Sequence, residues 1–161
     1  MEWFDDPCED QIEAIARLMH LPAELLGLSI GGGWSRCTVT LETPETSDSL
    51  RGDALWFCAG EPVQVLLRVE RHWFDVAQAR IGWSGQLPQL YPVDLVRRER
   101  RDDVEEDLAW LERETLGAAK RSQERFAFCR FCRTIAAPEQ LFRADPPVCH
   151  GCGSRYFGAV Y

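Results

Sequence analysis

From Glu9 to Met19 the apolar residues Ile12, Ile15, Ala16 and Met19 recur at helical spacing, with Asp10, Glu13 and Arg17 between them. This pattern predicts a helix with one buried stripe. Pro22 ends it, because proline pushes the preceding residue out of helical geometry, and Ala23 to Leu28 leave room for one short further turn. The Gly31-Gly32-Gly33 run has neither a following Lys-Ser/Thr nor a GxGxxG context, so it reads as a flexible connection and not as a phosphate cradle. The period then changes. Between Arg36 and Glu42, Cys37, Val39 and Leu41 alternate with Thr38, Thr40 and Glu42, as in a strand with one wet face. Thr43 to Arg51, rich in Thr, Ser and acids, reads as a loop. Leu55 to Cys58 and Val63 to Glu70, joined by Ala59-Gly60-Glu61-Pro62, predict a hairpin with Val63, Val65, Leu67 and Val69 on one face. Trp73 to Ile81 adds a fourth strand. Trp34, Trp56, Trp73, Phe74 and Trp83 fall in this region, and large aromatics at alternating positions read as core filling.

Gly82 to Pro92 is turn-like, and the proline-free stretch from Asp94 to Arg125 predicts one long helix, interrupted if anywhere at Gly117. Val104, Leu108, Leu111, Thr115 and Ala118 form its apolar stripe. Its charges are spaced for mutual pairing, as in Arg98 with Asp102 or Arg101 with Glu105. The expected fold is therefore α+β: a small antiparallel sheet with an N-terminal helix, a long connecting helix and a small C-terminal module. Residues 1–93 form an acidic α+β domain, 94–125 the connecting helix and 126–161 that module.

Composition sets limits on this picture. With 161 residues, 45% of them hydrophobic and 27% charged, the chain has material for one ordinary domain and a small module, which excludes a disordered or fibrous protein. No apolar run approaches the roughly 20 residues that span a bilayer, and the opening MEWFDDPCEDQ carries acids where an export signal needs basic and then apolar residues. The expectation is a cytoplasmic protein without membrane contact. The net charge of −8 is uneven: residues 1–112 carry 10 arginines against 22 acids, whereas 113–161 carry 8 basic residues against 4 acids. An acidic body repels phosphate backbones and attracts basic partners, so any nucleic-acid contact is confined to the basic residues 113–161.

The chemistry concentrates in the last 36 residues, which run FAFCRFCRTIAAPEQLFRADPPVCHGCGSRYFGAVY. Cys129 and Cys132 form one CxxC and Cys149 and Cys152 another, 16 residues apart. Two residues between cysteines let a tight turn aim both sulfurs at one point, and the spacer is long enough to bring the second pair back to complete a tetrahedron. Four thiolates around one zinc ion leave no open position, so the expected role is structural. Gly151 and Gly153 suit a second knuckle, Arg133 stands where the first would prefer glycine, and Arg130, Arg133 and Arg155 offset the centre's negative charge. Iron uses the same ligands, and spacing alone leaves zinc and iron both open. His150, inside the second pair, reads as a neighbour of the centre and not as a ligand. Disulfides fit poorly with no export signal and three further dispersed cysteines, Cys8, Cys37 and Cys58.

This tail resembles a zinc ribbon, through the two CxxC pairs, the glycine after Cys152 and the Arg155-Tyr156-Phe157 that follows. It is similar in particular to the ribbon that precedes the catalytic domain of bacterial NADH pyrophosphatases of the Nudix superfamily, where FCxxC is followed by a second CxxC and an aromatic pair. No Gly-x5-Glu followed by a closely spaced Arg-Glu occurs in the chain, so the resemblance carries over the four metal ligands and no catalysis.

The sequence thus predicts a non-catalytic zinc-binding protein acting through protein–protein contacts, an inhibitor or immunity-type protein being one concrete form. The alternative is a nucleic-acid-associated regulator using Arg130, Phe131, Arg133, Arg143, Arg155, Tyr156 and Phe157. Against an enzyme, His20 and His72 are single histidines. His72, near Trp73 and Asp75, is the nearest to a catalytic candidate.

Overall fold

The computed structural model describes residues 34–41, 55–69, 73–84, 87–99, 101 and 103–159. The expected N-terminal helix and the turn after it, the glycine run, the 43–51 loop, Cys8, His20 and His72 lie outside the described residues. A five-stranded antiparallel sheet runs in sequence order through β1 (Ser35–Cys37), β2 (Leu55–Ala59), β3 (Val65–Val69), β4 (Trp73–Ser84) and β5 (Leu87–Glu99). Helix α1 (Val104–Gln123) packs on one face. The C-terminal part holds two short hairpins, β6 (Ala127–Phe128) with β7 (Ile135–Ala136) and β8 (Leu141–Ala144) with β9 (Pro147–Cys149), and helix α2 (His150–Phe157).

The hairpin of β2 and β3 forms where the alternation placed it, turning at Gly60, whose φ of 100° suits glycine. Val65 and Leu67 face α1 with Phe57, Phe74, Val76, Leu111, Ala118 and Ala119. Leu66, on the other face, is equally buried, with Trp56, Ala77 and Ala79. β3 is thus a central strand covered on both sides, and Val63, which lies in the turn, packs on the second face and not beside Val65. Cys37, Val39 and Leu41 do share one face, and it joins this second cluster. The sheet also curls until the chain just beyond β1 reaches β5: Val39 bridges Leu90, and the Thr40 amide donates to the Leu90 carbonyl at 2.8 Å. The second cluster therefore fills a concave interior.

The helix expected from Asp94 begins only at Val104, and the turn-like reading of 82–92 gives way to a strand. Residues 87–99 pair along almost the whole of β4, from Ser84↔Leu87 to Trp73↔Glu99. Pairing with a neighbour outweighs local propensity here, and Pro88 and Pro92 are tolerated because β5 is the last strand in the order. A bulge in β5, where Asp94 and Leu95 stand opposite the single Ala77, has Asp94 at φ 53°, and its carboxylate accepts from Gln78 Nε2 at 2.6 Å. Arg97 and Arg98 consequently project from a strand. Arg98 pairs with Glu106 and Asp107 across the strand-to-helix connection, and Arg101 with Glu106, in place of the partners expected along a single helix.

α1 begins at Asp103, whose carboxylate accepts from the amides of Glu105 and Glu106 at 3.1 Å. Leu111, Thr115 and Ala118 face inward as the stripe predicted, joined by Asp107, Ala119 and Ser122, and Gly117 does not interrupt the helix. Its last turn is tied to the hairpin turn: Ser122 Oγ donates to the Gln64 carbonyl at 2.5 Å and Gln123 Nε2 to Gln64 Oε1 at 3.0 Å.

Candidate metal centre

The four cysteines come from three places in the C-terminal module. Cys129 follows β6, Cys132 closes the turn that returns the chain to β7, Cys149 ends β9, and Cys152 lies in the first turn of α2. The first pair forms a knuckle: the Cys129 amide donates to the Thr134 carbonyl at 2.9 Å and the Arg133 amide to the Cys129 carbonyl at 3.0 Å. Arg133 has φ 62°, so a side-chain-bearing residue occupies the left-handed conformation that glycine would adopt without strain. The second pair is not a knuckle of the same kind. Cys149 is the N-cap of α2, and Gly151 and Gly153 are helical. Gly153 matters for packing instead: a Cβ there would stand 2.7 Å from Cγ of Phe142.

All four sulfurs lie within 4.8 Å of one another, and Cys132 and Cys149 are 3.7 Å apart. A tetrahedral ion with metal–sulfur bonds of about 2.3 Å needs sulfurs roughly 3.8 Å apart, so this set could hold one metal ion. Cys129 is fully buried and also accepts from the Cys149 amide at 3.4 Å. Burial alone would raise its thiol, but amides of Cys149, Cys132 and Phe131 and the Cys132 side chain outweigh it and bring the pKa down to about 6. Thr134 lowers Cys132 through its hydroxyl and amide. Burial raises Cys149, and burial with the neighbouring thiols pushes Cys152 up to about 12. Four thiolates this close repel one another, so without a cation the cluster keeps protons on Cys149 and Cys152. A divalent ion that displaces those protons removes the conflict.

His150 is outside the sulfur cluster and meets Trp83 edge-on, with ring centroids 6.1 Å apart. Trp83 also donates from Nε1 to the Glu139 carbonyl at 3.3 Å, while the Glu139 carboxylate accepts from Arg125 at 2.5 Å and Arg80 at 3.3 Å. These contacts seat the module against β4 and the end of α1, and a pocket of ≈ 270 Å³ opens between Glu61, Trp83, Cys149 and His150. Trp83 is the exception among the sheet aromatics: Trp56 and Phe74 are buried, but Trp83 is exposed. Nothing in its alternation distinguished it.

Phe131, Tyr156 and Phe157 do come together, and Phe142, overlooked in the sequence, joins them. The adjacent apolar pair Leu141-Phe142, followed by Arg143 within the spacer, was the available signal. Arg130, Arg133, Arg143 and Arg155 are all exposed. Cys37 and Cys58, far apart in sequence, are brought to one face of adjacent strands, where Cys37 hydrogen-bonds Cys58; this and burial raise the Cys37 thiol and the same bond lowers Cys58. The six described cysteines are free. Asp75, near His72 in sequence, is fully buried and engaged by Arg68 and Arg97. Among the described residues no helix is long and apolar enough to cross a membrane. No protein-family model, curated protein or solved structure matches the chain.

Proposed function

We propose that this is a non-catalytic zinc-binding protein, cytoplasmic, in which one structural zinc ion held by Cys129, Cys132, Cys149 and Cys152 staples a C-terminal module that makes contact with a macromolecular partner. The observation that carries the reading is the mutual proximity of four sulfurs, all within 4.8 Å. Four protein ligands fill a tetrahedral ion and leave no position for an activated water or a substrate. Free cysteines throughout the described residues agree with a reducing compartment.

The module has little else to hold it. Its buried residues are Cys129, Ala136, Ala137, Val148, Cys152 and Gly153, too small a core for 30-odd residues. Phe128 and Phe157 are already exposed, so they do not belong to what the metal protects. Among the described residues, the large exposed apolar side chains gather here and not on the sheet: Phe128, Phe131, Phe142, Tyr156 and Phe157 against Trp83 and Leu87. This moves the expected contact surface from the acidic body to the basic module.

Elemental analysis of protein purified in buffers without added metal should return one zinc per chain. In Cys152→Ser protein the ion should be lost, and amide protection should disappear from residues 126–159 before it falls in the sheet. A fully protected module without stoichiometric metal would overturn the reading.

A further inference from the structure

We infer that the aromatic and arginine surface of the C-terminal module binds single-stranded nucleic acid, with bases stacking on Phe131, Tyr156, Phe157 and Phe142 and phosphates meeting Arg130, Arg133, Arg143 and Arg155. The inference rests on the proposed zinc-stapled binding module and adds the class of its partner.

The four rings form a continuous row. Phe131 stacks on Tyr156 with centroids 4.9 Å apart and meets Phe157 edge-on at 5.9 Å, and Phe157 stacks on Phe142 at 5.8 Å. Yet they are 38% to 55% exposed, a large amount for rings already packed against one another. They reach the row from three directions: the turn between Cys129 and Cys132, strand β8, and α2. The missing Cβ of Gly153 lets Phe142 lie against that helix. The elements that carry the metal ligands therefore also set the row.

Charge selects the occupant. Arg143 lies over Phe157 at 5.3 Å and Arg155 over Tyr156 at 5.5 Å, so cations are already parked on the aromatic faces. Arg130 and Arg133 are exposed in the Cys129–Cys132 turn and just after it, beside Phe131 in sequence. A second copy of the same face would oppose arginine to arginine, and an uncharged apolar partner would bury guanidinium groups without counter-charge. What fits both features is a polyanion with flat apolar faces. Single-stranded RNA or DNA offers both, with bases free to stack and phosphates at regular intervals. A duplex hides its base faces, so it offers the rings nothing to stack on, and the chain's net charge of −8 opposes its denser array of phosphates.

The test uses the full-length zinc-loaded protein and a fluorescent oligouridylate or oligothymidylate, read by anisotropy at about 50 mM salt. Single strands should bind, the matching duplex and heparin should bind much more weakly, and the logarithm of affinity should fall against that of salt with a slope near −3 when all four arginines engage. Tyr156→Ala should weaken binding about 5- to 100-fold and Tyr156→Phe should restore it, since stacking needs the ring and not the hydroxyl. Arg143→Ala with Arg155→Ala should flatten the salt slope, and Leu87→Ala, on the sheet, should change nothing. Zinc content of each variant separates the two levels of the account. Absent binding with one zinc per chain, binding equal to that of heparin, or binding unmoved by Tyr156→Ala would each overturn the inference and leave the zinc-stapled module standing, whereas absent zinc would remove the reading beneath it.

Discussion

Arg133 shows how one residue records a compromise. The knuckle requires a left-handed backbone just after Cys132, and an arginine with φ 62° meets it at a cost of about 1–2 kcal/mol relative to glycine, partly offset by the entropy glycine would lose on folding. Arg133→Gly should therefore leave the zinc-loaded protein as stable or about 1 kcal/mol more so, while Arg133→Val should cost more than 1 kcal/mol; chemical denaturation at fixed zinc resolves the difference. The thiols set the pH response. Metal binding requires all four sulfurs deprotonated, and the protons on the raised Cys149 and Cys152 are released when the ion enters. Affinity must then rise with pH. Affinity should fall more steeply once the pH drops below about 6, where Cys129 too takes up a proton in the metal-free protein, and the module should unfold as the ion leaves. Zinc release followed with a colorimetric chelator between pH 8 and pH 5 would show this; retention independent of pH would contradict it.

At the scale of elements, β3, β4 and β5 place Arg68, Asp75 and Arg97 side by side in register. Arg68 Nη1 donates to Asp75 at 2.8 Å and Arg97 Nε at 2.7 Å, with Arg68 and Asp75 fully buried and Arg97 lying over Trp73 at 5.5 Å. Removing the charge at the centre leaves a buried guanidinium without its carboxylate, so Asp75→Asn should destabilise the sheet by about 3–5 kcal/mol, measured as a shift in urea midpoint with unchanged zinc content. This triad could not be read from sequence, because Arg68, Asp75 and Arg97 become neighbours only through pairing. The same reason explains what happened between Asp94 and Glu99. Local pattern predicted a helix there, and the partner strand β4 made it a strand. Where local and tertiary signals agree, as for Val65 and Leu67 or for Leu111, Thr115 and Ala118, the alternation or the 3.6-residue spacing was enough. The CxxC spacing was equally legible, since a short loop fixes both sulfurs of a pair. That Cys149 and Cys152 would open a helix was not, because glycines at 151 and 153 suggested a tight turn.

For the whole molecule, the sheet with α1 and the C-terminal module meet at Glu139. Its carboxylate takes Arg125 from the segment after α1 and Arg80 from β4, and its carbonyl takes Trp83. These groups are partly exposed, so Glu139→Gln should cost only about 1 kcal/mol in overall stability. Its clearer effect should be local: hydrogen exchange in residues 134–150 should quicken while that of β2 and β3 stays the same, and an unchanged profile would show that the junction does not depend on this residue. Curling of the sheet through Val39 and Leu90, and the seating of the module, both rest on contacts distant in sequence, which no periodicity encodes.

The proposed closed metal site carries the rest. X-ray absorption at the zinc edge, on protein purified without added metal, should show one zinc per chain surrounded by four sulfurs at about 2.3 Å. A first shell containing oxygen or nitrogen, or a folded module with no zinc at all, would contradict the account.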